Sequence, residues 1–92
     1  MLELATTTQY RKDLKRAARR GLNLRRLNAV LEQLVEQKPL APQHKDHALL
    51  GEYKGSRECH IQPNWLLIYR VNNKELILTL LRTGTHDDLE LE

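Results

Sequence analysis

The run WLLIYRV, Trp65 to Val71, sets the tightest limit on the fold. Its first five side chains are all apolar, and successive residues of a strand point to opposite faces, so this strand needs cover on both sides. It therefore reads as a central strand. Its neighbours are close in sequence: strand-like runs at about Arg57–Ile61 and Glu75–Arg82 flank it, separated from it by QPN and NNK, both turn chemistry.

Before this three-strand block the period changes. LELAT near the start alternates loosely, as a short strand does, and the threonines after it can cap a helix. From Gln9 to Arg20, the residues Tyr10, Leu14, Ala17 and Ala18 fall at i, i+4, i+7 and i+8, one narrow helical face. Gly21 ends that helix. Asn23 caps a second, whose stripe of Leu24, Leu27, Val30, Leu31, Leu34 and Val35 runs to about Gln37, before Pro39 forbids continuation. A loop rich in Pro, Gly and His follows from Lys38 to Ser56, and loops this long in a small domain are usually functional or mobile. The order β-α-α-β-β-β predicts an α+β fold: one antiparallel sheet with two N-terminal helices packed on it. Ninety-two residues close one modest core, so 1–92 reads as a single domain.

With 40% apolar and 29% charged residues the composition is that of a soluble globular protein. No stretch approaches the ~18–20 apolar residues of a membrane helix, and the first residues lack the apolar region of a signal peptide. A cytoplasmic location without membrane contact is the expectation. Cys59 is the single cysteine and cannot form an internal disulfide. It reads as a small buried hydrophobe. Charge is unevenly placed: Arg11, Lys12, Lys15, Arg16, Arg19, Arg20, Arg25 and Arg26 face only Asp13, giving that window +7 and the remainder −4. Such a stripe is either a solvated helix face or a footprint for phosphate or an acidic protein.

The chemistry rests on the histidines, His44, His47, His60 and His86. HKDH and CH offer zinc ligands, yet adjacent strand residues point to opposite faces, so Cys59 and His60 cannot easily meet one metal. A Cys-His nucleophile pair fails on the same geometry. What survives is acid/base work, because imidazoles titrate near neutral pH. RNA cleavage by transesterification needs a base for the 2′-hydroxyl, an acid for the departing 5′-oxygen and a cation for the phosphate, with no metal or other cofactor. His47, His60 and His86 are candidates for proton transfer, and Lys54, Arg57 and Arg82 for charge.

HKDHALLGEYKGSRECHIQPNWLLIYRV, followed by LILTLLRTGTHDDL, resembles the RelE/YafQ branch of bacterial type II toxins, small endoribonucleases paired with antitoxins. The resemblance extends over nearly the whole chain. It implies a RelE-like fold and a toxin that cuts messenger RNA in the ribosomal A site until an antitoxin silences it. Residue by residue, the family's catalytic histidines match His47, His60 and His86, and its cleft arginine matches Arg82. Trp65 matches an aromatic position beside the site, and with Lys54, Arg57 and Asn64 it is expected to hold substrate. Two departures stand out. Asn64 occupies a place where that branch commonly has Asp, and an amide cannot exchange a proton at useful pH. The family's C-terminal Leu-Phe is here Leu89-Glu90, and the closing LELE reads as a cloning remnant. Arg11, Lys12, Lys15, Arg16, Arg19 and Arg20 are expected to meet ribosomal RNA or an antitoxin whose acidic segment folds on binding. The competing readings are a gyrase-inhibiting toxin on a related fold and a non-catalytic RNA-binding module. Codon preference, the antitoxin's identity and the division of acid and base among the histidines are not legible in the sequence.

Overall fold

The computed structural model describes residues 1–89. Strand β1 (Glu3–Thr6) leads into helices α1 (Thr8–Arg19) and α2 (Leu24–Val35). A 3-10 turn (Pro42–His44), the two-residue strand β2 (His47–Ala48) and a second 3-10 turn (Gly51–Tyr53) precede β3 (Arg57–Gln62), β4 (Trp65–Asn72), β5 (Ile77–Gly84) and the short helix α3 (His86–Leu89).

Local chemistry sets these bounds. Thr7 caps α1 by accepting the Tyr10 N–H, and Asn23 caps α2 by accepting the Arg25 N–H. Between them Gly21 takes φ +76°, a conformation that costs a residue without Cβ little, and the chain reverses there. Helix α2 stops at Val35, short of the expected end, with Gln37 already at φ +57°. Strand β5 begins at Ile77 and not at Glu75, because the Asn72 side chain accepts the N–H groups of Lys74 and Glu75 and draws both into the turn.

The sheet order is β1-β5-β4-β3-β2. All pairings are antiparallel except one: β1 runs parallel to β5, from Glu3 opposite Ile77 to Thr6 opposite Leu80. The expected α+β fold, an antiparallel sheet with two N-terminal helices packed on it, is present, and it includes this one parallel pair because the helical hairpin carries the chain across the sheet to dock β1 beside the last strand. Strand β2 also escaped the sequence reading, because two residues carry no period. It lies within the loop from Lys38 to Ser56, which is largely tied down against the sheet edge.

Strand β4 is buried on both faces, as its run of apolar residues requires. On one side α1 and α2 bring Tyr10, Ala17, Leu27, Val30 and Leu34 against Cys59, Trp65, Leu67, Tyr69 and Leu78. Cys59 lies in this layer as a structural residue, and burial pushes its thiol up to about 12. On the other side Leu66 and Ile68 pack with Leu49, Tyr53, Leu81 and Leu89. That cover comes from a loop, a short helix and Leu81 of β5. Leu89 is part of the core; the rest of the closing LELE lies outside the described residues. Among those residues no helix is long and apolar enough to cross a membrane.

Two carboxylates join the layers. Pairing of β1 with β5 ends at Leu80, and beyond it the edge of β5 is taken by Asp13 of α1. Its side chain, fully buried, accepts Arg82 Nε at 2.7 Å, Arg82 Nη2 at 3.3 Å, the Thr83 N–H at 3.2 Å and Gln9 Nε2 at 3.0 Å. At the C-terminal end Asp88 accepts Arg20 Nη1 at 2.6 Å and the Thr85 N–H at 3.0 Å, with Arg16 Nη1 at 3.4 Å. Gly84 makes room for this clamp, since a Cβ there would stand 2.9 Å from the Asp88 side chain.

Asp13→Ala leaves a half-buried guanidinium and a buried strand N–H without their acceptor, so it should lower unfolding free energy by about 2–3 kcal/mol in urea titrations, whereas Lys12→Ala on the exposed side of α1 should change little. Acid acts at the other clamp. Hydrogen bonding to Arg20 holds the Asp88 carboxyl well below its ordinary range, so its contribution is fully present above pH ~4 and fades as pH falls further. Thermal melts between pH ~5 and ~2.5 should show a shallower acid decline for Asp88→Asn than for the wild type.

Candidate active site

Cross-strand partners in a sheet share a face, so the register places the functional side chains directly. His47 of β2 lies opposite Glu58 of β3, Glu58 opposite Ile68 of β4, and Ile68 opposite Arg82 of β5. One residue row thus crosses four strands. The next row on this face runs from His60 through Leu66 to Gly84. Two residues beyond Gly84, His86 at the start of α3 brings its ring centroid 5.7 Å from that of His60, edge to face at 64°. Leu66 and Ile68 form an apolar floor beneath.

Arg82 reaches this row because β5 is irregular. Strict alternation from Leu78 and Leu80 would send Arg82 to the helix-covered side, but pairing shifts from Tyr69 opposite Leu80 to Ile68 opposite Arg82, with Leu81 as the extra residue. From there the guanidinium wraps the strand edge to Asp13. That hydrogen bond raises the guanidinium still further above its ordinary range and fixes it as a permanent cation.

Glu58 stands between two imidazoles. Its Oε1 lies 3.7 Å from His47 Nε2 and 3.6 Å from His60 Nε2, separations for ion pairs once the rings are protonated. The carboxylate is 7% exposed, and the His60 side chain 14%. His47 is open to solvent, its ring aimed by Nδ1–H donation to the Lys45 carbonyl at 2.7 Å. His44, outside the row, donates Nδ1–H to the His60 carbonyl at 2.6 Å and steadies β3 where β2 no longer pairs with it. His86 Nδ1 bonds Asn64 Oδ1 at 2.9 Å. The face therefore offers imidazoles able to take and give protons above an apolar floor, with a cation at one end.

His47, His60, His86 and Arg82 are brought to one face, and Asn64 joins them through His86. Trp65 is not a substrate contact: it is 1% exposed, in the helix-covered core, with its indole N–H on Thr83 Oγ1 at 2.9 Å. Arg57 is also corrected, because it alternates with Cys59, lies opposite Tyr69 on the other face, and spends its guanidinium on Asp46 at 3.2 Å. Lys54 is solvent-facing beside Tyr53, on a turn that packs against the site's floor. In the basic stripe, Arg16 and Arg20 hold Asp88, and Arg11 bonds Thr6 and Thr8, leaving Lys12, Lys15, Arg19, Arg25 and Arg26 as exposed cations without an ion pair among the described residues. Glu58 and Asp13 escaped the sequence reading. Glu58 precedes His60 by two, the spacing that puts both on one strand face, and Asp13 is the single acid within the stripe. Among the described residues no group of three or more His, Cys, Asp or Glu side chains is arranged to hold a metal ion.

Known proteins resemble the chain in sequence and in fold. Residues 2–91 match the family described as a bacterial toxin of type II toxin–antitoxin systems, YafQ. The mRNA interferase toxin YafQ of Escherichia coli strain K12 is 40% identical over 79 residues, covering 85% of this chain and 84% of the relative. A metal-bound toxin from Helicobacter pylori superimposes with a TM-score of 0.91 at 42% identity, covering 97% and 99% of the two chains. The toxin of the E. coli DinJ–YafQ toxin–antitoxin complex does so at 0.86 and 36%, covering 96% of each. Sequence and fold concur over nearly the full length, and the chain belongs to the YafQ family of type II toxins.

Proposed function

We propose that this protein is an mRNA interferase, an endoribonuclease that cuts messages engaged on the ribosome by metal-independent acid/base transesterification. The observation that carries the reading is the sheet face shared by His47, His60, His86 and Arg82, with Glu58 between His47 and His60. Transesterification asks for these parts: an imidazole to take the 2′-hydroxyl proton, a second to protonate the leaving 5′-oxygen, and a cation for the charge that builds on the phosphate. The relatives' name as mRNA interferases supports the substrate. Ribosome dependence follows from economy. The face holds few titratable groups, so alignment of the 2′-hydroxyl is left to the ribosome, with exposed Lys12, Lys15 and Arg19 to meet its phosphates.

A cognate antitoxin is the expected partner, as in the DinJ–YafQ complex of the E. coli relative. An acidic segment that folds on binding suits the open cations of α1. Inhibition of gyrase has no need of paired imidazoles over a carboxylate, and neither does passive RNA binding. Cell-free translation with a defined message separates the three by site-specific cuts, lost supercoiling, or neither.

His60→Ala and His86→Ala should each slow single-turnover cleavage of ribosome-bound message by roughly 10²–10³-fold with little change in melting temperature. Full activity in both would refute the acid/base reading. Arg82→Ala does not serve as a clean probe, because it also strands Asp13. Ribosome-bound message should be cut faster than naked message by on the order of 10²-fold or more, and equal rates would remove the ribosome from the mechanism. Stripping transition metals with a selective chelator, Mg²⁺ being kept for the ribosome, should leave the rate unchanged. A rate restored only by added metal would overturn metal independence.

A further inference from the structure

A groove of about 380 Å³ lies between α2, the segment from Leu40 to His44 and the far end of β3. Its size is that of a small-ligand site. An irregularity in β3 shapes it. Pairing passes from His60 opposite Leu66 to Gln62 opposite Trp65, with Ile61 as the extra residue. Strict alternation would put Gln62 on the face of His60, but cross-strand partners share a face, so Gln62 sits with Trp65 on the helix-covered side. The bulge thus turns Gln62 toward α2. Strand β2 pairs with β3 only at Arg57 and Glu58, so beyond Glu58 this edge is reached by His44 alone among the described residues, through its bond to the His60 carbonyl.

The lining has a definite chemistry. Val30, Leu40, Ile61 and Pro63 give apolar walls. Over them stand three carboxamides, Gln33 and Gln43 exposed and Gln62 half-buried, each with donors and an acceptor to offer. Arg26 adds one exposed cation, and no Asp or Glu lines the groove. A purely aliphatic occupant would desolvate the amides without pairing them, and a cationic one would face Arg26. The matching ligand has apolar faces, edges that both donate and accept, and a negative charge. An unstacked nucleotide has all three: its base edges pair with carboxamides, and its phosphate pairs with a guanidinium.

We propose that this groove binds one nucleotide of the message beside the cut, with its base among Gln33, Gln43 and Gln62 and its phosphate at Arg26, and so selects where the message is cut. This rests on the RNA-cutting reading above. His60 supplies the continuity, because it lines the groove and also stands on the histidine face. RNA lying on that face reaches the groove by rounding the edge of β3 that β2 leaves uncovered. Selection and cleavage then fall to opposite sides of one strand.

The probe is a trinucleotide with methylated 2′-hydroxyls, which cannot be cut by attack of its own 2′-oxygen, added to the full chain and followed by NMR. Signals of Ala29, Ala41 and Ile61 and of the Gln33 and Gln62 carboxamides should move. Ala29→Trp, at an exposed position of α2, should fill the groove and weaken trinucleotide binding by about tenfold or more with unchanged melting. Gln33→Leu removes one carboxamide at similar size. It should flatten by about tenfold the preference among ribosome-bound messages that differ at bases beside the cut, while cleavage itself persists. Shifts confined to the histidine face overturn the proposal, as does wild-type binding by Ala29→Trp or wild-type preference in Gln33→Leu. An acidic peptide that moves the groove signals where the trinucleotide does not also overturns it, and makes the groove a protein contact. If the wild type cuts no RNA, the mechanism above falls, and the trinucleotide still reports on the groove.

Discussion

Asp13 is the interaction on which the architecture turns. It is a carboxylate taken out of water inside the first helix, and such a charge is tolerable only when its lone pairs are filled. Arg82, the Thr83 N–H and Gln9 fill them. The consequence is geometric. With β1 ending opposite Leu80, the remainder of β5 would expose an unpaired edge, and Asp13 replaces the missing strand for one hydrogen bond while holding Arg82 across it. The helix layer and the histidine-bearing face are therefore coupled through this side chain.

From that anchor the site follows by register. Once Arg82 is placed by the irregularity at Leu81, the antiparallel pairings bring Ile68, Glu58 and His47 into line, and His60 falls in the next row. Two of the imidazoles are oriented by hydrogen bonds, His47 by the Lys45 carbonyl and His86 by Asn64, while His60 lies 3.6 Å from Glu58. Fixed ring orientation is what the proposed acid/base mechanism asks of these side chains. The same economy explains the basic helix, whose stripe is divided between structural work at Asp88 and cations left open to a partner.

Much of this was legible in the sequence, and the failures have physical reasons. Helices, caps and the three long strands announced themselves through period and punctuation, and the residue pattern of the YafQ branch singled out the three histidines that share the face. Trp65 and Arg57 were misplaced because a motif records position without direction. One turns inward at the start of β4, and the other alternates onto the far side from His60. Arg82 shows the converse: its place depends on one extra residue in β5, which no two-residue period can reveal. Glu58 and Asp13 were passed over because a lone acid looks like a solvated charge until its burial is known. The parallel pairing of β1 depends on the long return of the chain, to which local pattern is blind.

The central claim is chemical: imidazoles on one sheet face cut RNA by attack of its own 2′-hydroxyl, without a metal-bound water. The ends of the products decide it. Messages cleaved on ribosomes by the wild-type protein can be isolated and both new termini determined by mass spectrometry. Attack by the 2′-oxygen leaves a 2′,3′-cyclic phosphate, or the 3′-phosphate it opens to, on the upstream fragment and a 5′-hydroxyl on the downstream one. Those ends are the expected result. A 3′-hydroxyl facing a 5′-phosphate would mean that water attacked and the 3′-oxygen left, and would contradict the mechanism built on His47, His60, His86 and Arg82.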